Sequence, residues 1–248
     1  MTQRVVQREK TINEEGQLRA IIIISLAMIS SIGFCNDLRT QMRELVIQNH
    51  MPIRDWREAK HHLLQNIYLE KDSQGFFIRD VYCHNIIRKR VGPDSMPNGA
   101  VINIEHTWPQ SKFPKRGSKT QKADLHHLFP TDAETNNKRA NHTFSDQTRS
   151  RPMTDCAPSK IGYNSNLGEQ SFEPPAEHKG NVARALFYFA LRYNGQIVPE
   201  EEIVLRIWNE LDPVDTEEMK RNDLIETIQG NRNIFVDDAE YADLIEDF

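Results

Sequence analysis

Apolar and polar positions follow two periods along this chain, and the longer period dominates its second half. From Asp55 onward, Trp56, Ala59, Leu63, Ile67 and Leu69 recur near helical spacing, with Asp55 placed to cap the helix they predict. His61 and His62 fall in the middle of that helix, where an imidazole more often serves packing or the surface than a ligand. Val182, Leu186, Phe189 and Tyr193 form a second stripe, closed by Asn194 and Gly195, and its aromatic residues are core. "EEIVLRIWNEL" and "DTEEMKRNDLIETIQG" predict two further helices, the latter capped by Asp215 and stopped at Gly230. The shorter period appears in "MPNGAVINIE", a turn at Asn98-Gly99 followed by a strand from Ala100 to about Ile104. "DLHHLFP" predicts a second short strand, closed by Pro130, and the spacing of Thr131 and Glu134 then forms a capping box for another helix. The stretch from Arg149 to Pro175 is rich in turn residues and reads as an ordered irregular loop. Short strands set among helices make an α+β fold.

Composition changes this picture mainly at the ends. Of 248 residues, Ala20 to Phe34 form an uncharged apolar run. That is shorter than the roughly twenty residues a membrane span needs, and fits the apolar part of a secretory signal. Residues 1–35 are therefore expected to be a signal peptide, leaving 36–248 as one exported domain, periplasmic or secreted. Cys83 and Cys156 would remain, an even count that permits a disulfide in an oxidising compartment. The net charge is −5, but its distribution is uneven. Arg88–Arg90 and the segment carrying Lys112, Lys115, Arg116, Lys119 and Lys122 are basic, whereas Glu200 to Phe248 is acidic, with a tail from about residue 237 expected to be a solvated face. A local positive field can bind phosphate even when the whole chain is negative.

The basic segment lies between the two predicted strands. Glu105 and His106 end the first of them, and in a regular strand they would point to opposite faces, so both serve one site only if the strand stops or bends there. Pro109 supplies a stop, and the capped helix presents Asn136 and Asn137 in its second turn. A carboxylate and an amide oxygen suit magnesium, which keeps several waters and needs few protein ligands. A neutral histidine beside them can take a proton from water, and a nearby arginine would hold a phosphate with two hydrogen bonds. Asp124, His126 and His127 fall on the second strand, where at most one of them is expected to orient the site. Trp108 and Pro109 shape the turn, with Trp108 a candidate for stacking on a base. Glu173 and Arg184 are expected to form a buried pair, and "QGNRN" at Gln229–Asn233 to pack the C-terminal helix on the core.

Five segments, "EHTWPQS", "DLHHLFP", "ETNNKRAN", "FEPP" with "KGNVARALFY", and "RN" with "IQGNRN", occur in this order between Trp56 and Val236. Together they resemble the endonuclease I family of bacterial periplasmic and secreted nucleases. The resemblance implies a ββα-metal (His-Me finger) motif within a mostly helical domain, and a monomeric magnesium-dependent endonuclease that cuts DNA or RNA with little sequence preference and leaves 5′-phosphates. It implies His106 as general base and Glu105 and Asn136 as ligands of one Mg2+, with Mn2+ or Ca2+ as substitutes. Asn136 is preferred to Asn137 because it precedes the step to Arg139. Many relatives carry a longer, cysteine-bearing loop between the strands, with a phosphate-binding arginine. Here the loop is short, so Arg116, with Lys115 and Lys119, stands in for it, and Arg139 joins them as a nucleic-acid contact. The family's cysteine pair is reduced to Cys83, so any disulfide must run through Cys156. The rival readings are a nucleic-acid-binding protein without catalysis and another metallohydrolase, although no HExxH zinc motif is present.

Overall fold

The computed structural model describes residues 38–115, 118–146 and 149–248. The expected signal peptide and Arg116 lie outside them. The chain divides into two units, Met1–Gln41 and Met42–Phe248, and apart from the first four residues of the helix Leu38–Ile47 everything discussed below lies in the second. Among the described residues no helix is long and apolar enough to cross a membrane.

Helix α1 (Leu38–Ile47) is followed by α2 (Trp56–His62), whose N-cap Asp55 accepts a hydrogen bond from the Glu58 amide, as the sequence predicted. A π-type turn, Leu63–Ile67, then widens the helix. Strands β1 (Glu70–Asp72), β2 (Gly75–Arg79) and β3 (Ile86–Ile87) make a small antiparallel sheet. Next come β4 (Ile102–His106), the short helix α3 (Lys119–Ala123), β5 (Leu128–Asp132) and α4 (Ala133–Arg139). β4 and β5 pair antiparallel with Glu105 opposite Phe129 and His106 opposite Leu128. Their inner residues Ile102, Ile104 and Leu128 pack with Leu63, Leu64, Ile78 and Ile225. This places the strand pair, the π-type turn and a late helix around one core.

The local grammar differs from expectation at three points. Pro130 lies within β5 opposite Ile104, which is tolerated because a two-stranded sheet leaves an edge where no amide donor is needed. The cap of α4 is Asp132, whose carboxylate accepts from the Thr135 amide at 2.8 Å, so Thr131 belongs to the strand. Asp124, His126 and His127 precede β5, in and beside a 3-10 turn spanning Leu125–His127, and are not on the strand.

The largest difference is the stretch read as irregular. It contains β7 (Arg149–Met153), β8 (Cys156–Asn164) and β9 (Glu169–Glu173), which join β6 (Thr143–Phe144) in a four-stranded sheet of order β6-β9-β8-β7. The buried positions of β8 are Cys156, Ser159 and Asn164, which are small or polar, so no apolar alternation marks it in the sequence. Tertiary ties replace that signal. Ser159 donates to the Tyr82 carbonyl at 2.9 Å, and Cys156 forms a disulfide with Cys83. The Asn164 side chain closes the β8–β9 turn by accepting from the amides of Asn166 and Leu167. The disulfide closes a loop across 73 positions, for which chain entropy gives about 4 kcal/mol of stabilisation. Replacing both cysteines by alanine should therefore lower the urea midpoint by a corresponding amount, and reductant should do the same to the natural chain.

Helices α5 (Lys179–Tyr193), α6 (Pro199–Leu211), α7 (Thr216–Gln229) and α8 (Ile234–Asp237) complete the fold. α5 is buried on every side between Val182 and Leu191, and the left-handed Asn194 ends it. The acidic tail is only partly the solvated face expected. Its carboxylates are mostly exposed, but Phe235, Ile245 and Phe248 are buried, with Phe248 stacked on Phe187 at 4.4 Å. "QGNRN" packs as predicted, but through polar groups: Gln229, Asn231 and Asn233 are all buried and hydrogen-bonded. At Gly230, in the left-handed region, a Cβ would sit 2.2 Å from the Asn49 carbonyl, so only glycine allows this approach. Arg184 pairs with Glu218 and not with Glu173, which takes Lys160 and Lys179 instead. Sequence offers the opposite charges but not which helix brings them together.

Candidate active site

One cleft of about 500 Å3 gathers Glu105, His106 and Asn136, with Trp56, Gln110 and Lys122 on its walls. β4 supplies the first two residues and α4 the third. Glu105 and His106 both reach the cleft although they are strand neighbours and the ladder continues through both. Pro109 lines the cleft too, but it does not end the strand before His106. Asn137, one position beyond Asn136, is exposed and outside the cleft.

His106 has a defined tautomer. Its Nε2 lies 3.0 Å from the Lys122 carbonyl, which can only accept, so Nε2 carries the proton. Nδ1 is then the basic nitrogen, and Gln110 Nε2 donates to it at 3.3 Å. The ring packs against Trp56 at 4.9 Å and His127 at 5.4 Å. Burial, aided by the nearby His127 imidazole, lowers its pKa to about 3, so the imidazole is neutral at ordinary pH.

Glu105 is 2% exposed. Its Oε1 accepts from the Tyr82 hydroxyl at 3.1 Å and lies 3.1 Å from Arg139 Nε, whereas Oε2 makes neither contact. Burial raises its pKa to about 7, with Arg139 and Tyr82 opposing the rise. Such a carboxyl gains from a cation. Asn136 donates from Nδ2 to the Ile104 carbonyl at 3.4 Å, which leaves its amide oxygen as a donor atom for a ligand. Among the described residues no three His, Cys, Asp or Glu side chains form a metal cage. The donor set in the cleft is thus two hard oxygens, which fits a cation that keeps much of its water.

Arg139 departs from its expected role. It is 1% exposed, donating to the Thr107 carbonyl at 2.7 Å and to the carbonyls of His106 and Ala140, with its guanidinium 4.3 Å over the Phe144 ring. It braces Glu105 and the end of β4 and is not presented to a substrate. Lys115 and Lys119 are exposed but outside the cleft lining. Trp108 is buried and stacked on Phe189, with its Nε1 donating to the Lys112 carbonyl, so it shapes the turn and offers no face to a base.

Sequence reasoning missed Tyr82, Gln110 and the cleft position of Trp56 and Lys122. Tyr82 is held by Asp80, whose buried carboxylate accepts from the amides of Tyr82, Cys83, Asn85 and Asp132 and so ties this loop to the start of α4. The "DVYC" stretch carries no signal of that reach.

Asp124 stands apart from the cleft. It accepts from Tyr188, Tyr193 and Gln229 and lies 3.3 Å from Arg192. Burial alone would raise its pKa, but Arg192 and the two adjacent histidines hold it well below the usual carboxylate range. His126 donates to the Asn231 carbonyl and His127 to that of Gln121. Only the His127 ring touches His106. Burial lowers His126 to about 3, His127 to about 4 and His178 to about 3. Each binds a proton more readily when unfolded, near 6.5, so the unfolded state gains protons first as pH falls. These histidines should therefore make stability fall from pH 6.5 toward pH 4, whereas Glu105, with its pKa raised to about 7, makes it fall as pH rises through that value, both read as the urea midpoint at each pH.

Glu105 and His106 from a strand pair and Asn136 from the helix that follows it thus line one cleft. The endonuclease I pattern matches residues 35–240, and the chain belongs to the endonuclease I family. It is 38% identical over 161 residues to the extracellular ribonuclease of Bacillus subtilis (strain 168), covering 58% of this chain and 53% of that protein. It is 32% identical over 115 residues to the periplasmic deoxyribonuclease of Aeromonas hydrophila, covering 46% of this chain and 47% of that one. The Endonuclease-1 of Buchnera aphidicola subsp. Acyrthosiphon pisum (strain APS) is 32% identical over 114 residues, 46% of this chain and 44% of that protein. The chain thus spans about half the length of these relatives.

Proposed function

We propose that the protein is an exported, monomeric, magnesium-dependent endonuclease whose β4–β5–α4 unit is a ββα-metal centre. The observation that carries this reading is the convergence of Glu105, His106 and Asn136 on one cleft. Glu105 Oε2 and the Asn136 amide oxygen would hold the cation. When bound, it offsets charge on the phosphate oxygens as the transition state forms. Mn2+ or Ca2+ could take the same oxygen ligands.

The rest of the chemistry belongs to the chain. His106 Nδ1 takes a proton from the attacking water, and the hydrogen bond from Nε2 to the Lys122 carbonyl keeps the ring turned for that transfer. That same bond stabilises the imidazolium that results. Water attacks phosphorus as the P–O3′ bond breaks, so the cut leaves a 5′-phosphate and a 3′-hydroxyl, the leaving oxygen taking its proton from solvent, and does not require the 2′-hydroxyl of RNA. Contacts to backbone phosphates carry no base code, which agrees with weak sequence preference. The relatives' names cover both RNA and DNA, and both are substrates to test here.

Supercoiled plasmid and single-stranded RNA should be cut by the mature protein with magnesium and spared in EDTA. Failure to cut either polymer at any magnesium concentration would refute the proposal. Glu105→Ala should shift the magnesium titration to higher concentration by about 10- to 100-fold, and an unchanged titration would remove Glu105 from the metal site.

A further inference from the structure

We infer that Trp56, with Lys60 and Lys122, forms a seat for an unpaired nucleotide beside the scissile phosphate, which makes single-stranded nucleic acid the preferred substrate. This rests on the nuclease reading above and goes beyond it to the strandedness of the substrate. Trp56 and Lys122 line the cleft, and the Trp56 ring packs at 4.9 Å on the ring of His106, the residue assigned as general base. Lys60 Nζ lies 5.9 Å and Lys122 Nζ 5.5 Å from the centre of the same indole. Both distances are near the limit of a cation–π contact, so neither ammonium is held firmly. Among the described residues neither lysine forms an ion pair with a carboxylate, whereas Lys138, Lys160 and Lys179 all do.

An aromatic surface flanked by uncompensated positive charge is what an unpaired strand needs. Any base can stack on an indole, and the adjacent backbone phosphate can draw the ammonium groups off the ring. In a duplex the bases are already stacked on one another, and presenting one to Trp56 costs unstacking and unpairing. The seat touches His106, so a nucleotide on it lies next to the bond to be cut.

The test uses labelled RNA and DNA single strands and a hairpin duplex. Binding is followed by anisotropy in EDTA, and KM and kcat are measured with magnesium. The natural protein should bind both single strands more tightly than the duplex. Trp56→Leu should weaken single-strand binding and raise single-strand KM about tenfold, a larger rise than for the duplex, and Trp56→Phe should recover most of the loss. Lys60→Gln with Lys122→Gln should lower the slope of log affinity against log salt by about 1.4 for a single strand, at about 0.7 per phosphate contact. Because Trp56 also packs on the core, the lysine pair tests the seat where the tryptophan variant fails to fold. Equal binding of duplex and single strand, or an unchanged salt slope, overturns the inference. So does a fall in kcat on all substrates at unchanged KM, which would leave Trp56 only positioning His106. If the natural protein neither binds nor cuts any of these polymers, the nuclease reading itself fails.

Discussion

His106→Ala should lower kcat by about 100- to 10,000-fold while binding in EDTA survives. The size follows from what is removed. Nδ1 is the basic atom facing the cleft, and its companion nitrogen is committed to the Lys122 carbonyl, so no second atom of the ring can replace it. Gln110 reaches the same position but is a poor base, and Glu105 has Oε1 held by Tyr82 and Arg139 and Oε2 assigned to the cation. The variant also opens space beside Trp56, so binding and circular dichroism must be measured with it. Loss of binding with cleavage retained would contradict the assignment. Cleavage undiminished in magnesium and abolished by EDTA would move the base elsewhere in the cleft.

The second large effect is on stability. Arg139→Ala should cost about 3–5 kcal/mol, because it leaves the buried Glu105 carboxylate and the Thr107 carbonyl without their partner. The loss should be greatest at alkaline pH. Glu105 already has a pKa raised to about 7 with Arg139 in place, and without the guanidinium it can neutralise itself by taking a proton as pH falls. Adding Glu105→Gln should recover part of the stability at high pH, since the uncompensated charge is then gone. Urea denaturation of the single and double variants at pH 6 and pH 9 measures all three terms. An Arg139→Ala protein as stable as the natural chain would mean that the buried pair contributes nothing net. Because Arg139 is buried and outside the cleft lining, lost activity in this variant should follow the loss of folded protein and of Glu105 alignment.

The sequence was most informative where the candidate site is written in consecutive residues. Glu105 and His106 are adjacent, Asn136 sits on a helix with a visible start, and all three meet in the cleft. The helix stripes and their caps at Asp55, Asp215, Asn194 and Gly230 were equally legible, since capping depends on neighbours a few positions away. The four-stranded sheet was hidden because Cys156, Ser159 and Asn164 face inward where valine or isoleucine would have announced a strand. Arg139 was misread for a different reason. A guanidinium near the cleft suits either a phosphate or a carboxylate, and only its enclosure by Phe144 and the end of β4 decides between them. Tyr82 reaches Glu105 across 23 positions, a relation that no local pattern encodes.

The polar network around Asp124 has a consequence for the order of events during synthesis. Asp124 and the Leu125 amide wait for Gln229, which lies 105 and 104 positions later. The Val46 carbonyl accepts from Arg192 and, across 185 positions, from Asn231. Until those late residues are available, Asp124 lacks one of its donors and the Leu125 amide lacks its acceptor, so the network is incomplete. Completion of the fold thereby depends on α7 and the turn after it, and a chain truncated before residue 229 should be more open to proteases than the whole one.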